Sequence, residues 1–248
     1  MDIRDLKVKI LGIVATPIKN GNTQFIVNEA LRMAEAEGPV ETEVIHLEDY
    51  QIGYCTGCEG CLRKVHKVQQ EVGCDIIPVP IKEYNCTIKD DMEVLHRKLL
   101  ECDGLILGAP VYIATIPAQL KTFLDRCRTF VHDYRLRGKV AQALTVAFYR
   151  NAGEDTALAA MNITLLGLGF TIVGYGGSTV STREGLGILV RGKRIAVTED
   201  QLGMMLIRTV GSQVAQYALR LKAGTRALKE AGIELREKAM YAVPGSKK

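Results

Sequence analysis

The sequence predicts an α/β fold, a doubly wound sheet of five parallel strands, and three observations predict it. Short, nearly continuous apolar runs alternate with longer segments whose apolar residues recur at helical spacing. Several runs end in Gly or Pro. Unusual polar loops follow the runs. A strand–helix repeat in series folds as a parallel sheet with helices on both faces.

The elements follow in order. "VKILGIVA" (8–15) is apolar throughout its core, as expected of a strand buried on both faces. "TQFIVNEALRMAEAEG" (23–38) reads as a helix closed by Gly38. "VETEVIHL" (40–47) alternates and is the second strand, and an irregular stretch over 48–89 carries the cysteines. "DDMEVLHRKLLEC" (90–102) is a helix opened by a capping box of Asp90 and Glu93. "DGLILGAP" (103–110) is the third strand, and "PAQLKTFLDRCRTF" (117–130) a helix with Leu120, Phe123, Leu124 and Cys127 on one face. "KVAQALTVAFY" (139–149), "EDTALAAMNITLLGLG" (154–169) and "FTIVGYGG" (170–177) supply the fourth strand, a helix and the fifth strand.

Beyond 177 the pattern loosens. "GLGILVRGKRIAVT" (185–198) suits either a hairpin turned at Gly192-Lys193 or a loop arm. Thr198 and Gln201 then open a long helix with Leu202, Leu206, Val210, Val214, Tyr217 and Leu221 on one stripe. The expected organisation is a sheet domain over 1–177 with a cysteine-rich loop at 50–89. The arm and long helix of 178–248 would pack on the same domain or on a partner subunit.

Composition bounds the function. The 248 residues are 47% hydrophobic and 24% charged, enough for one large α/β domain. Asp2 and Asp5 precede the first apolar run, unlike the positive start of a signal peptide. No uncharged stretch approaches the roughly 18–20 residues of a membrane helix, so the expectation is a cytoplasmic protein. Net charge is +4, Lys and Arg are scattered apart from "RGKR" (191–194) and the tail, and Trp is absent, which argues against nucleic acid as a partner.

In an open parallel sheet, ligands bind beyond the carboxyl ends of the strands. Three loops there stand out. "ATPIKNGNT" (15–23) offers Thr16, Asn22 and Thr23, with Lys19 in the same loop, ahead of a helix N-terminus. It has neither a P-loop nor a G-x-G-x-x-G pattern, and its donors suit a terminal monophosphate. "GAPVYIATIPAQLKTFLDR" (108–126) places Val111, Tyr112 and Ile113 after Pro110, where a planar ring would lie on the loop. "FYRNAGED" (148–155) brings Asn151 and Gly153, and "GYGG" (174–177) closes the fifth strand.

Three of the seven cysteines, Cys55, Cys58 and Cys61, are spaced C-x₂-C-x₂-C. An odd count in a cytoplasmic chain argues against a disulfide set. Bacterial ferredoxins use this opening for a [4Fe–4S] cluster, whose fourth thiolate comes from farther along. Zinc and a thiol switch are the alternatives. The fourth ligand is Cys86 or Cys74. Cys102 and Cys127 read as core residues, and His46, His66, His96 and His132 show no metal-ligand spacing.

"NGNT" (20–23), the compact cysteines, "CTIKDDM" (86–92) and "GAPVYIATIPAQLKTFLDR" together resemble the NADPH-dependent FMN reductase superfamily of flavodoxin-like proteins. Within it the resemblance is to the iron–sulfur flavoproteins of anaerobic archaea and bacteria, over about residues 7–177. It implies a flavodoxin-like domain with bound FMN. Thr16, Asn22 and Thr23 match phosphate-binding positions. Pro110, Val111, Tyr112 and Ile113 match the loop against the ring and ribityl chain, and Asn151 and Gly153 the third FMN loop. Cys86, directly before "TIKDDM", matches the last cysteine, so 62–85 is an insertion, expected as a lid or oligomer contact. The implied function is electron passage between ferredoxin or a similar one-electron donor and a small-molecule acceptor, through the cluster and FMN, in a homodimer or homotetramer. The alternatives are an NAD(P)H-dependent FMN or quinone reductase without a redox cluster, and a non-catalytic electron carrier.

Overall fold

The computed structural model describes residues 6–73, 76–77, 84–233, 235 and 237–238. Its elements run β1 (Val8–Val14), α1 (Asn22–Glu35), β2 (Val40–His46), α2 (Gly60–Val72), β3 (Ile76–Ile77) and α3 (Met92–Glu101). Then come β4 (Gly104–Pro110), α4 (Ala118–Arg126), α5 (Thr129–Asp133), β5 (Val140–Ala147) and α6 (Glu154–Gly167). They close with β6 (Thr171–Ile172), β7 (Gly177–Val180), α7 (Gln201–Glu230) and β8 (Glu237–Lys238). The main sheet has the order β2-β1-β4-β5-β6, with β7 also on β5, and every pair in it is parallel. The chain steps from β1 outward to β2 and then returns to β1's other side, so the switch point lies between β1 and β4.

Both faces of the sheet are covered, which is why its central strands are apolar without alternation. All eight residues of β5 are buried. One core packs Leu11, Ile13, Leu105 and Leu107 under Leu95, Leu120, Phe123 and Met161. The other packs Val8, Ile10 and Ile106 under Ile26, Val27, Ile207 and Val214.

Three expectations change and one open alternative closes. The fifth strand is divided. Thr171 lies opposite Val140 and Gly177 opposite Leu144, so the edge takes six steps where β5 takes four. The extra residues bulge out at 173–176, where Asn162 Nδ2 donates to the Tyr175 carbonyl at 2.6 Å. "GYGG" therefore interrupts the strand, which ends at Val180.

The face of α7 is also rotated from the expected stripe. Gly203, Met204, Ile207, Val210, Gly211, Val214, Ala215 and Ala218 are buried, while Leu202 is 59% and Tyr217 44% exposed. Small residues make this face because α7 lies close on α1. A Cβ at Gly211 would sit 2.0 Å from the Ala30 carbonyl oxygen. The helix is opened by Asp200, whose Oδ1 accepts the Gly203 amide at 3.1 Å. With β7 on β5 and α7 over the sheet, residues 177–230 are part of the same layered body.

The irregular stretch of 48–89 contains a helix, α2, whose Val65 and Gln69 are buried. Beyond it, β3 pairs antiparallel with β8. Finally, 185–198 is a loop arm ending in a 3-10 turn, Ala196–Glu199, and not a hairpin. Among the described residues, no helix is long and apolar enough to cross a membrane.

Candidate flavin cavity and cysteine loop

A cavity of about 400 Å³ opens beyond the ends of β1, β4 and β5. Thr16, Asn22 and Thr23 line it from the first loop, and Pro110, Val111 and Tyr112 from the second. The end of β5 adds Val146 and Ala147, and the arm adds Ser181 and Arg194.

The first loop is shaped by its own side chains. Thr16 Oγ1 accepts the Ile18 amide at 3.3 Å, and Asn20 turns with φ 54°. Gly21 precedes α1 without any side-chain cap, so the first amides of that helix face the cavity side uncapped. Asn22 Oδ1 accepts the Val197 amide at 3.2 Å, which leaves its Nδ2 group to donate. Lys19, in contrast, is ion-paired with Asp49 and does not line the cavity.

In the second loop, Tyr112 and Thr115 exchange backbone hydrogen bonds of 2.8 and 3.1 Å around a two-residue turn. Ile113 and Ala114 form its tip with φ 44° and 61°, and Ile113 is 97% exposed, outside the cavity lining. Non-glycine residues in this region cost about 1–2 kcal/mol each, so the surroundings must impose the turn. They do: Gly153, at φ 107°, would place a Cβ 2.4 Å from the Ala114 carbonyl oxygen. The loops after β4 and β5 thus meet main chain to main chain. Gly153 and Asn151 line a neighbouring cavity of about 360 Å³ with Arg150, Glu154, Asp155 and Ser178.

Amide and hydroxyl donors at one end and Pro110, Val111 and Val146 along the wall suit a phosphorylated, planar ligand. FMN fits this donor set. Sequence reasoning missed Ser181 and Arg194. The one signal for Arg194 was the basic cluster "RGKR", which read as solvated surface charge.

The cysteine loop follows β2. Cys55 and Cys58 lie in irregular chain, and Cys61 falls in the first turn of α2. Thr87 joins this loop to Cys86. Its Oγ1 is 3.1 Å from Cys58 Sγ, and its methyl carbon would lie 2.4 Å from a Cβ at Gly60. The Thr87 hydroxyl and then the Gly60 amide lower the pKa of Cys58. Cys61 is raised, chiefly by burial, with the neighbouring Cys86 adding to the effect. Cys86 also lies within reach of the Tyr84 hydroxyl and the Arg126 charge. Cys74 lies outside the described residues.

A buried ion pair holds these segments. Arg126, fully enclosed, grips Asp90 through Nη1 at 2.6 Å and Nη2 at 2.9 Å, a bidentate pair. It also donates to the Gly53 carbonyl at 2.8 Å and to the Tyr84 hydroxyl at 2.7 Å. Asp90 in turn accepts the amides of Gly53 at 2.9 Å and Met92 at 3.1 Å. Burial would raise the Asp90 carboxyl, but these donors outweigh it and hold its pKa below the usual carboxylate value. Asp90 therefore ties α4 to the cysteine loop. The expected capping box is not formed, because Asp91 is the N-cap of α3 and makes no side-chain cap bond, while Asp90 accepts the amide of Met92, the first helical residue. Beneath it, His96 Nε2 donates to the Arg126 carbonyl at 3.1 Å, and the ring packs between Tyr84 and Phe130. Burial lowers its pKa to about 3. Cys102 and Cys127 are wholly buried, and burial pushes both thiols up, Cys102 to about 11.

The donor chemistry of Cys55, Cys58, Cys61 and Cys86 suits a thiolate-held metal group. Thr87 ties Cys58 to the Cys86 segment and Cys61 lies near Cys86, although among the described residues no three His, Cys, Asp or Glu groups converge to hold an ion.

The comparisons with known proteins agree with this fold. The family model described as NADPH-dependent FMN reductase matches residues 8–184. An iron-sulfur flavoprotein of Methanocaldococcus jannaschii is 32% identical over 222 residues, spanning 87% of this chain and all of that protein. One from Archaeoglobus fulgidus is 35% identical over 169 residues, 68% of this chain and 67% of its own. The crystal structure of RosB with bound 8-demethyl-8-formylriboflavin-5'-phosphate superposes with a TM-score of 0.61 at 17% identity, covering 97% of this chain and 93% of that one. The sheet order, the cavity at its switch point and the match over most of the chain lead to one conclusion: the chain belongs to the NADPH-dependent FMN reductase family and is an FMN-dependent oxidoreductase.

Proposed function

We propose that the chain is an iron–sulfur flavoprotein that passes electrons between a one-electron donor such as ferredoxin and a small-molecule acceptor. The observation that carries this reading is the placement of the cysteine loop against Cys86 at the same end of the sheet as the flavin cavity. Thr87 links the two cysteine segments, and the Lys19–Asp49 ion pair links the first cavity loop to the chain entering the cysteine loop. The names of the curated relatives support it.

When bound, FMN exchanges electrons singly or in pairs and a [4Fe–4S] cluster exchanges them singly, which lets one protein join the two kinds of carrier. Cys55, Cys58, Cys61 and Cys86 would hold the cluster, with the Thr87 hydroxyl and the Gly60 amide as donors toward the Cys58 sulfur. Thr16, Asn22, Thr23, Pro110, Val111 and Tyr112 would hold FMN. Asn151 and Gly153 shape its margin, Gly153 by seating the turn at Ala114. No side-chain acid or base is assigned to electron transfer itself. A second copy of the chain, in a homodimer or homotetramer, is part of the same proposal.

Protein purified without oxygen should carry about four irons and four sulfides per chain beside its FMN. Cys58→Ala should lose the iron and keep the flavin. Cys86→Ala should do the same, and Cys74→Ala should leave both in place. Flavin without iron after anaerobic reconstitution overturns the cluster and leaves an NAD(P)H-dependent flavin or quinone reductase.

A further inference from the structure

The arm between β7 and α7 is tied across the flavin cavity at both ends. At its base, the Ser181 amide donates to the Ala147 carbonyl at 2.9 Å, the Thr182 hydroxyl donates to the Phe148 carbonyl at 2.5 Å, and the Arg150 amide donates to the Gly185 carbonyl at 3.0 Å. At its far end the Val197 amide donates to Asn22 Oδ1, at the first residue of α1. Just before that point, Arg194 reaches the phosphate-side loop. Its Nε donates to the Asn20 carbonyl at 3.0 Å and its Nη2 to the Lys19 carbonyl at 2.9 Å, 174 and 175 residues away in sequence.

Two cations stand at this loop, and they are placed differently. Lys19 is neutralised by Asp49. Arg194 lines the cavity beside Thr16, Gly21, Asn22 and Thr23, and among the described residues it has no carboxylate partner. A guanidinium has five N–H donors in a fixed fork, and the two carbonyls use only two of them. The carbonyl contacts aim the fork without cancelling its charge. The rest of the cradle consists of neutral amides and hydroxyls, which solvate a dianion but do not balance it.

We infer that Arg194 is a binding residue for the terminal phosphate of the flavin, delivered by an arm that straps the cavity and makes the site selective for FMN over riboflavin. The inference rests on FMN being the bound flavin, and it goes beyond that reading by assigning phosphate selectivity to a residue outside the first loop. Loss of a charge-assisted contact of this kind weakens binding about 10- to 100-fold.

The test is a pair of flavin-fluorescence titrations, FMN and riboflavin, on the full-length protein stripped of flavin, comparing wild type with Arg194→Gln and Arg194→Lys. The expected result is a 10- to 100-fold weaker FMN affinity for Arg194→Gln, a riboflavin affinity within about twofold of wild type, and a smaller FMN loss for Arg194→Lys. The FMN loss should also shrink as salt rises. Equal losses for FMN and riboflavin would make Arg194 a structural latch and overturn the inference, as would an unchanged FMN affinity. Riboflavin binding reports whether each variant still folds its cavity. Wild-type protein that binds neither flavin would instead sink the FMN reading itself.

Discussion

At the flavin cavity the walls are the ends of strands. Thr16 follows β1, Pro110 ends β4 and Ala147 ends β5, and each strand is pinned by its neighbours over its whole length. At the cysteine loop, residues 54–58 make no backbone–backbone hydrogen bond among the described residues. The entry to that loop hangs mainly on side chains: Asp91 accepts the Gln51 amide at 2.7 Å and returns its own amide to the Gln51 carbonyl, Asp90 accepts the Gly53 amide, and Arg126 donates to the Gly53 carbonyl. The walls of one site are thus a by-product of sheet geometry, and their shape does not hang on one side chain. The other depends on one buried ion pair, whose removal leaves charges and carbonyls without partners.

The sharpest way to break this contrast is Arg126→Ala. It leaves the largely buried Asp90 carboxylate unpaired and should cost about 3–5 kcal/mol in a urea denaturation series. FMN affinity should change little, because no wall of the cavity contains Arg126. A parallel loss of flavin binding would show that the two regions are not held independently.

Acid should act on the same side of the molecule. His96 stays neutral in the fold down to about pH 3, whereas an unfolded chain takes up the proton near pH 6.5. Between those values the unfolded state holds more protons, so stability rises with pH and is lost on acidification. The slope from this one group is about 1.4 kcal/mol per pH unit, or about 3 kcal/mol between pH 6 and pH 4. His96→Gln should flatten the stability profile in that window, whatever its effect at neutral pH. An unchanged slope would place the acid sensitivity elsewhere.

The smallest effect is expected on the cavity side. Gly153→Ala puts a Cβ against the Ala114 backbone at a positive φ and should cost about 2 kcal/mol in stability. It should weaken flavin binding through the displaced Tyr112 turn and leave the iron content untouched. A loss of iron with retained flavin would reverse the assignment of that turn.

Much of this was readable from local pattern. The first four strands, most helices and the contiguous cavity residues Thr16, Asn22, Thr23 and Pro110–Tyr112 were visible because each depends on neighbours within a few positions. The failures have specific causes. The α7 face was misread because half of its inward residues are Gly203, Gly211, Ala215 and Ala218, whose small side chains carry little hydrophobic signal; Gly211 lies against the Ala30 backbone of α1 and Gly203 against Asp200 and Thr179. The fifth strand looked continuous because nothing local announces that its edge takes extra residues beside β5. Helix α2 did carry a signal, since Leu62, Val65, Val68 and Val72 recur at helical spacing, but the run is short and opens inside the cysteine motif.

The sequence by itself determined the parallel sheet, the side on which its loops gather and the residue types at the two sites, because burial period and turn chemistry are local properties. Only the tertiary structure decided the rest. It set Lys19 against Asp49, turned Ile113 outward, brought Arg194 across 174 residues to the loop after β1, and gave Arg126 to Asp90. The physical reason is that these partners lie far apart in sequence and meet only when distant segments pack; for Arg126 the meeting is obligatory, because a buried unpaired charge is costly.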